Sequence, residues 1–180
     1  MTVETRLMTF VEFEQLPDPP SGHYELHHGQ LIHMPPGKKP HFAIQQAIYD
    51  LLLPLLRTSG QLGVEFPFRP GLEYEAWQAD VAFVSADRWQ ADDNDYFLGA
   101  PDLVIEVLSK SNTLDEILDR QATCFSAGCI SFWIVDVRRK MIMVTNPDGI
   151  TMRYQNSVIP LWGSYPGTVD VVKVFESLRW

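Results

Sequence analysis

Three things are scarce in this chain of 180 residues: cysteine, long apolar runs, and basic charge. The two cysteines, Cys124 and Cys129, have no CxxC spacing and no histidine companion, so neither a disulfide nor a zinc site is expected. The longest apolar stretch, Ala47 to Leu56, is broken by Asp50 and Pro54, well short of the ~20 residues of a membrane helix. The opening Met-Thr-Val-Glu-Thr-Arg lacks the basic-then-apolar order of a signal peptide. A cytoplasmic protein without a membrane segment is therefore expected. Lys and Arg number 14 against 23 Asp and Glu, a net charge of −9. That balance argues against a protein that coats nucleic acid by bulk electrostatics, since counterion release needs cations at the phosphates. It leaves room for an enzyme that meets DNA through a small basic patch and a bound divalent cation.

What is present reads as one ordinary globular domain over 1–180, with a core at about 22–155. The content is 46% hydrophobic and 21% charged, the balance of a packed soluble fold. There is no internal repeat and no low-complexity tract. Thr9 followed by Glu12 forms a capping box opening a short helix that ends at Pro17. Tyr24-Glu25-Leu26 and Gln30 to Met34 flank His27-His28-Gly29 as a hairpin. His41 to Leu56 carries Ile44, Ala47, Ile48, Leu51, Leu52 and Leu55 at helical spacing, with Pro54 distorting the last turn. Strands are expected over 62–68, 78–85 and 101–109, with 86–100 as a long surface loop. Thr113 caps a second helix with the apolar stripe Leu114, Ile117, Leu118, Ala122 and Phe125, stopped by Gly128. A buried strand at 130–137, a hairpin of 141–145 with 150–154, and a strand at 168–175 complete the chain. The order is αβββαβ between an N-terminal and a C-terminal hairpin, an α/β (α+β, mixed-sheet) class.

The chemistry centres on Pro101-Asp102-Leu103-Val104-Ile105-Glu106-Val107-Leu108-Ser109. This is a strand apolar enough to be buried on both faces. Glu106 near its end needs a compensating partner, because a lone buried carboxylate is costly. A basic side chain, dense hydrogen bonds or a metal ion would each serve. A second acid, Asp80, lies in the preceding strand Ala79-Asp80-Val81-Ala82-Phe83-Val84.

Taken in order, several landmarks carry a resemblance. They are Tyr24-Glu25-Leu26-x-x-Gly29-x-Leu31, Met34-Pro35-Pro36, His41 at a helix start, the Asp80 and Glu106 strands, and Gly128 before Phe132-Trp133-Ile134-Val135-Asp136. Over about residues 9–155 the chain resembles the Uma family of restriction endonucleases, in the PD-(D/E)xK nuclease superfamily. The resemblance implies a restriction-endonuclease-like fold and metal-dependent hydrolysis of DNA phosphodiester bonds. It implies Mg²⁺, with Mn²⁺ able to substitute, held by Asp80 and Glu106 with Glu25 as the third acid and the Val107 carbonyl as a further ligand. It also implies a homodimer, since two strands of a duplex need two sites; Trp77, Trp89 and Trp162 are then expected to be exposed and available to an interface.

The departures bear on activity. The superfamily places a lysine two residues after the acid, where this chain has Leu108. Family members supply it from the following helix, sixteen residues before the aspartate matched by Asp136, which is Arg120 here. Arginine grips a phosphate with two donors but stays protonated, so it cannot serve as a base. Cys124 stands where the family has tyrosine, and Ala79 where it has proline. Arg120 is expected at the solvent-facing margin of its helix, tolerant of lysine. His41 and Lys110 are candidates for holding phosphate or organising the site. His23, His27, His28 and His33 are expected to be split between the faces of the hairpin. Arg138-Arg139-Lys140 reads as a solvated turn or a contact to a DNA backbone. Two functions stay open: a Mg²⁺-dependent endonuclease, and a catalytically inactive nuclease-fold module that binds nucleic acid or protein.

Overall fold

The structure, a computed structural model, describes residues 6–109, 113–176 and 178. The chain opens with Phe10–Phe13 (α1), the strands His23–His27 (β1) and Gln30–Met34 (β2), and Lys39–Leu56 (α2). Gly60–Arg69 (β3), Trp77–Ser85 (β4), Ala86–Gln90 (α3), Phe97–Leu98 (β5) and Leu103–Val107 (β6) follow. Leu114–Ser126 (α4) leads to Ser131–Asp136 (β7), Met141–Thr145 (β8) and Thr151–Tyr154 (β9). Val158–Pro160 (β10), Thr168–Asp170 (β11) and Val171–Glu176 (α5) close it.

Seven strands form one mixed sheet in the order β5-β3-β4-β6-β7-β8-β9. β6 and β7 run parallel, as do β3 and β5, and the other neighbours are antiparallel. The parallel pair requires a crossover, which α4 supplies. From Val81 onward, alternate residues serve alternate faces. Val81, Phe83, Leu103, Ile105, Trp133 and Val135 pack with Ile44, Ile48, Leu52 and Leu56 of α2 and with α5. Ala82, Val84, Val104, Phe132 and Ile134 pack with Ile117 and Cys124 of α4. Each fully buried aliphatic side chain contributes about 1.5–3 kcal/mol, so this two-sided packing fixes the strand register. The hairpin β1–β2 turns at His28 and Gly29, both with positive φ, the requirement of a type I′ turn. Leu26 of that hairpin bonds Ala76 in both directions and shares a small core with Phe10.

The Thr9 capping box and the Thr113 cap form as expected, the second also as a capping box with Glu116, and α2 runs through Pro54 to Leu56. Four expectations need correction. The segment 86–100 is not all loop: it contains α3, and β5 buries Phe97 against Phe66. Arg88 fastens it by bonding the Asp102 carboxylate and the Ala100 carbonyl. The terminal segment is a strand only to Asp170, whose carboxylate then accepts the Val172 N–H and starts α5. In α4 the buried face is Ile117, Arg120 and Cys124, while Leu114 and Leu118 are 72% and 49% exposed. Trp77 is 1% exposed, donating to Glu75 and stacking with His27, so it has no surface to offer a partner. Trp162 packs on Phe83 and Tyr165, and of the three tryptophans only Trp89 is an exposed large side chain. No helix among the described residues is long and apolar enough to cross a membrane.

Candidate active site

The site lies where β4 and β6 part. Their antiparallel ladder pairs Val81 with Ile105, Ala82 with Val104 and Phe83 with Leu103. Just past it, Asp80 sits on one strand and Glu106 on the other. Instead of continuing the ladder, the Val107 N–H donates to Asp80 Oδ2 at 2.6 Å. On the other oxygen, Asp80 Oδ1 accepts from His41 Nε2 at 2.7 Å and from Gln45 Nε2 at 2.8 Å, both on α2. Three donors therefore hold the carboxylate. Burial disfavours a charged His41 ring, but the hydrogen bond and charge of Asp80, with the charge of Glu65, outweigh it and raise its pKa.

Glu106 is bound from the opposite face of the sheet. Its Oε1 accepts from Arg120 Nε at 2.8 Å. Arg120 is 7% exposed, which corrects the expectation of a solvent-facing margin. Its Nη1 donates to Glu25 Oε2 at 2.9 Å and its Nη2 to the Gln78 carbonyl at 2.5 Å. Glu25 in turn accepts the Gln78 N–H at Oε1, 2.9 Å. The Glu25–Arg120 pair thus brackets the Gln78 peptide, satisfying the N–H and C=O that β4 presents beyond the end of β6. Arginine suits this place by geometry as well as charge, because its donors are spread over three nitrogens of one plane, whereas a lysine carries its three on a single nitrogen. The guanidinium carbon also lies 5.0 Å from the Trp77 ring centre.

One cation is shared by two acids, and they fare differently. Burial pushes Glu25 up, but Arg120 and the hydrogen bonds from His23 and His27 win, leaving it well below the ordinary carboxylate range. Burial also pushes Glu106 up; the pull of Arg120 is offset further by the charges of Asp80 and Glu25, and its pKa rises to about 8. Asp80, Glu25 and Glu106 therefore belong to one electrostatic cluster. Arg120 itself is held above its already high value despite burial, by Glu106 and Glu25.

Glu25, implied as the third metal ligand, is only 2% exposed and has both oxygens engaged, with His27 Nε2 at 2.5 Å adding to the donors above. Among the described residues no three His, Cys, Asp or Glu side chains are arranged to hold a metal ion, in keeping with that engagement. His23 and His27 share the face of Glu25, whereas His33 bonds the Ser21 carbonyl, so the hairpin splits the histidines. His28, at the turn, reaches Glu75 with one ring nitrogen and Asp119 of α4 with the other. Lys110 lies outside the described residues. Sequence reasoning missed Gln45; a polar residue one helical turn after His41, on the apolar stripe, is the signal that could have revealed it.

An αβββαβ core with paired acids where two central strands part defines the restriction-endonuclease-like class. The family model Uma2, "Putative restriction endonuclease", matches residues 10–176, and the chain belongs to that family. Among solved structures, the chain is similar to a "putative nuclease belonging to DUF820" from Anabaena variabilis. The two are 20% identical with a TM-score of 0.83, over 95% of this chain and 99% of the other, a likeness of fold. Comparison with curated proteins gives no match.

Proposed function

We propose that the chain is a divalent-metal-dependent endonuclease hydrolysing DNA phosphodiester bonds, with Asp80 and Glu106 as its metal ligands. The observation that carries this is the position of those two acids, next in register past the last β4–β6 pair and electrostatically coupled although α2 holds one and α4 the other, in a chain of a restriction-endonuclease family. The donor set fits a hard cation: the carboxylate oxygens of Asp80 and Glu106, with the Val107 carbonyl that the family resemblance implies, would suit Mg²⁺ or Mn²⁺. Burial, and after it the charges of Asp80 and Glu25, raises the proton affinity of Glu106 against the pull of Arg120, and a divalent ion beside it would favour the ionised form. When bound, such an ion supplies charge at the scissile phosphate and a water of lowered pKa. The chain's own residues hold the ligands still. His41 and Gln45 fix Asp80 from α2, and Arg120 fixes Glu106 from α4. Glu25 serves by anchoring Arg120.

A second reading, the inactive module, is favoured by one observation. All three nitrogens of Arg120 are engaged within the protein, on Glu106, Glu25 and the Gln78 carbonyl, so the side chain at the position that carries lysine in relatives is held as a structural brace. Thermal melting separates site from module. Mn²⁺ or Mg²⁺ at millimolar concentration binds the folded state alone and is expected to raise Tm. Asp80→Asn with Glu106→Gln is expected to remove that shift while the apo protein still melts cooperatively. A shift that survives in the double variant places the ion elsewhere, and no shift in the wild type favours the module.

A further inference from the structure

The parallel pairing of β6 and β7 places two groups of cations at the same end of the sheet as the acids. Val107 pairs with Val135, so the β7–β8 turn, residues 137–140, begins two residues beyond the register of the site. β7 neighbours β6 and ends at Asp136, so Arg138 lies in the turn just past the end of that strand. On the other side, His41 touches Asp80, which brings the first turn of α2, with Lys38 and Lys39, to the same end. Five of the chain's 14 basic residues (Lys38, Lys39, Arg138, Arg139 and Lys140) thus lie in two short segments flanking the acids. In an acidic chain, that concentration makes this end distinct from the rest of the surface.

The turn is built to hold its cations outward. Asp136 accepts both the backbone N–H and the Nη1 of Arg139, and Gln155 donates to the Arg139 carbonyl. Arg139 is therefore spent as a brace. Arg138 and Lys140 are exposed and make no ion pair among the described residues. Lys140 has φ of 49°, a left-handed position that glycine or asparagine fills at lower cost.

We propose that the β7–β8 turn is a phosphate-backbone contact for duplex DNA, with Arg138 and Lys140 as the contacting side chains and the Lys38–Lys39 segment across the acids from it. The turn begins two residues past the register of the acids on the neighbouring strand, so it would meet the backbone beside the scissile position rather than at it. Such contacts position a duplex without reading its sequence. The inference rests on the nucleic-acid reading above and deepens it.

The test is fluorescence anisotropy of a labelled 20-base-pair duplex with the full chain in EDTA, titrated over salt. Arg138→Ala with Lys140→Asn, the asparagine chosen to suit positive φ, is compared with the charge-matched pair Arg57→Ala and Lys173→Ala. Removing two phosphate contacts is expected to reduce the slope of log K against log salt by about 1.8, with the control pair at the wild-type slope and all three proteins melting alike. An unchanged slope in the turn variant, an equal fall in the control pair, or no duplex binding by the wild type overturns the proposal. Duplex binding through the turn without plasmid cleavage keeps this inference and sinks the nuclease; cleavage with an unchanged slope does the reverse.

Discussion

Arg120 is the residue on which the most depends. It touches both acids of its own face and the backbone of β4, and it is buried. Arg120→Lys keeps the charge but loses the fork, and hydrogen bonds to charged groups contribute about 1.5–3 kcal/mol each. A loss of about 2–4 kcal/mol in urea denaturation is expected, with the m-value unchanged; a loss within 0.5 kcal/mol would show that the bracket around Gln78 does not carry stability. Glu106 gives a complementary prediction in pH. Its folded pKa, about 8, is raised above the ordinary carboxylate value, so the folded state holds the extra proton between them. The stability this contributes is full below about pH 4.5 and is lost as pH rises through 8. In metal-free buffer Tm is expected to fall from pH 5 to 9, and Glu106→Gln to flatten that fall. The raised pKa values of His28 and His41 act in the same direction and remain in the variant. An identical pH profile in the variant contradicts the assignment. The acids and Arg120 were legible in the sequence because they sit at fixed offsets within recognisable strands and a helix. That Glu25 and Arg120 pair was not, because Glu25 stands 95 residues before Arg120 and only the folded hairpin joins them.

At the scale of elements, capping and apolar spacing were legible where local forces decide. Both capping boxes follow from Thr and Glu three residues apart. The stripe of α4 was misread because Leu114 and Leu118 look like core residues, whereas the sheet below them offers its buried space to Ile117, Arg120 and Cys124. Tertiary demand for a buried cation outweighed hydropathy. The segment 86–100 was misread as loop because its short pieces have no periodicity; a single buried Phe97 and the reach of Arg88 order it. Helix α4 presents Arg120 less than two turns from its start, so its N-terminus bears on the site. Thr113→Ala removes the cap and is expected to cost about 1 kcal/mol and to raise amide exchange at the start of α4 above that of α2. Equal exchange in the variant and wild type would show that α4 is held by its packing alone.

On the whole-molecule scale, one mixed sheet brings together segments from four parts of the chain. The N-terminal hairpin contributes Glu25, α2 contributes His41 and Gln45, the β4–β6 pair contributes the two acids, and α4 contributes Arg120. The chain carries 14 basic against 23 acidic residues, and five of the basic ones fall in the two segments 38–39 and 138–140. His28 adds a link between the hairpin and α4, since each ring nitrogen meets a carboxylate, Glu75 or Asp119. The central claim is that Asp80 and Glu106 together support phosphodiester hydrolysis, and plasmid nicking tests it most directly. Supercoiled plasmid incubated with the wild type in millimolar Mn²⁺ is expected to be converted to the open-circular form, at least tenfold faster than with Asp80→Asn or Glu106→Gln, about 1.4 kcal/mol or more of barrier. EDTA is expected to reduce the wild type to the level of those variants. Equal rates for all three proteins, each shown to be folded, would contradict the account.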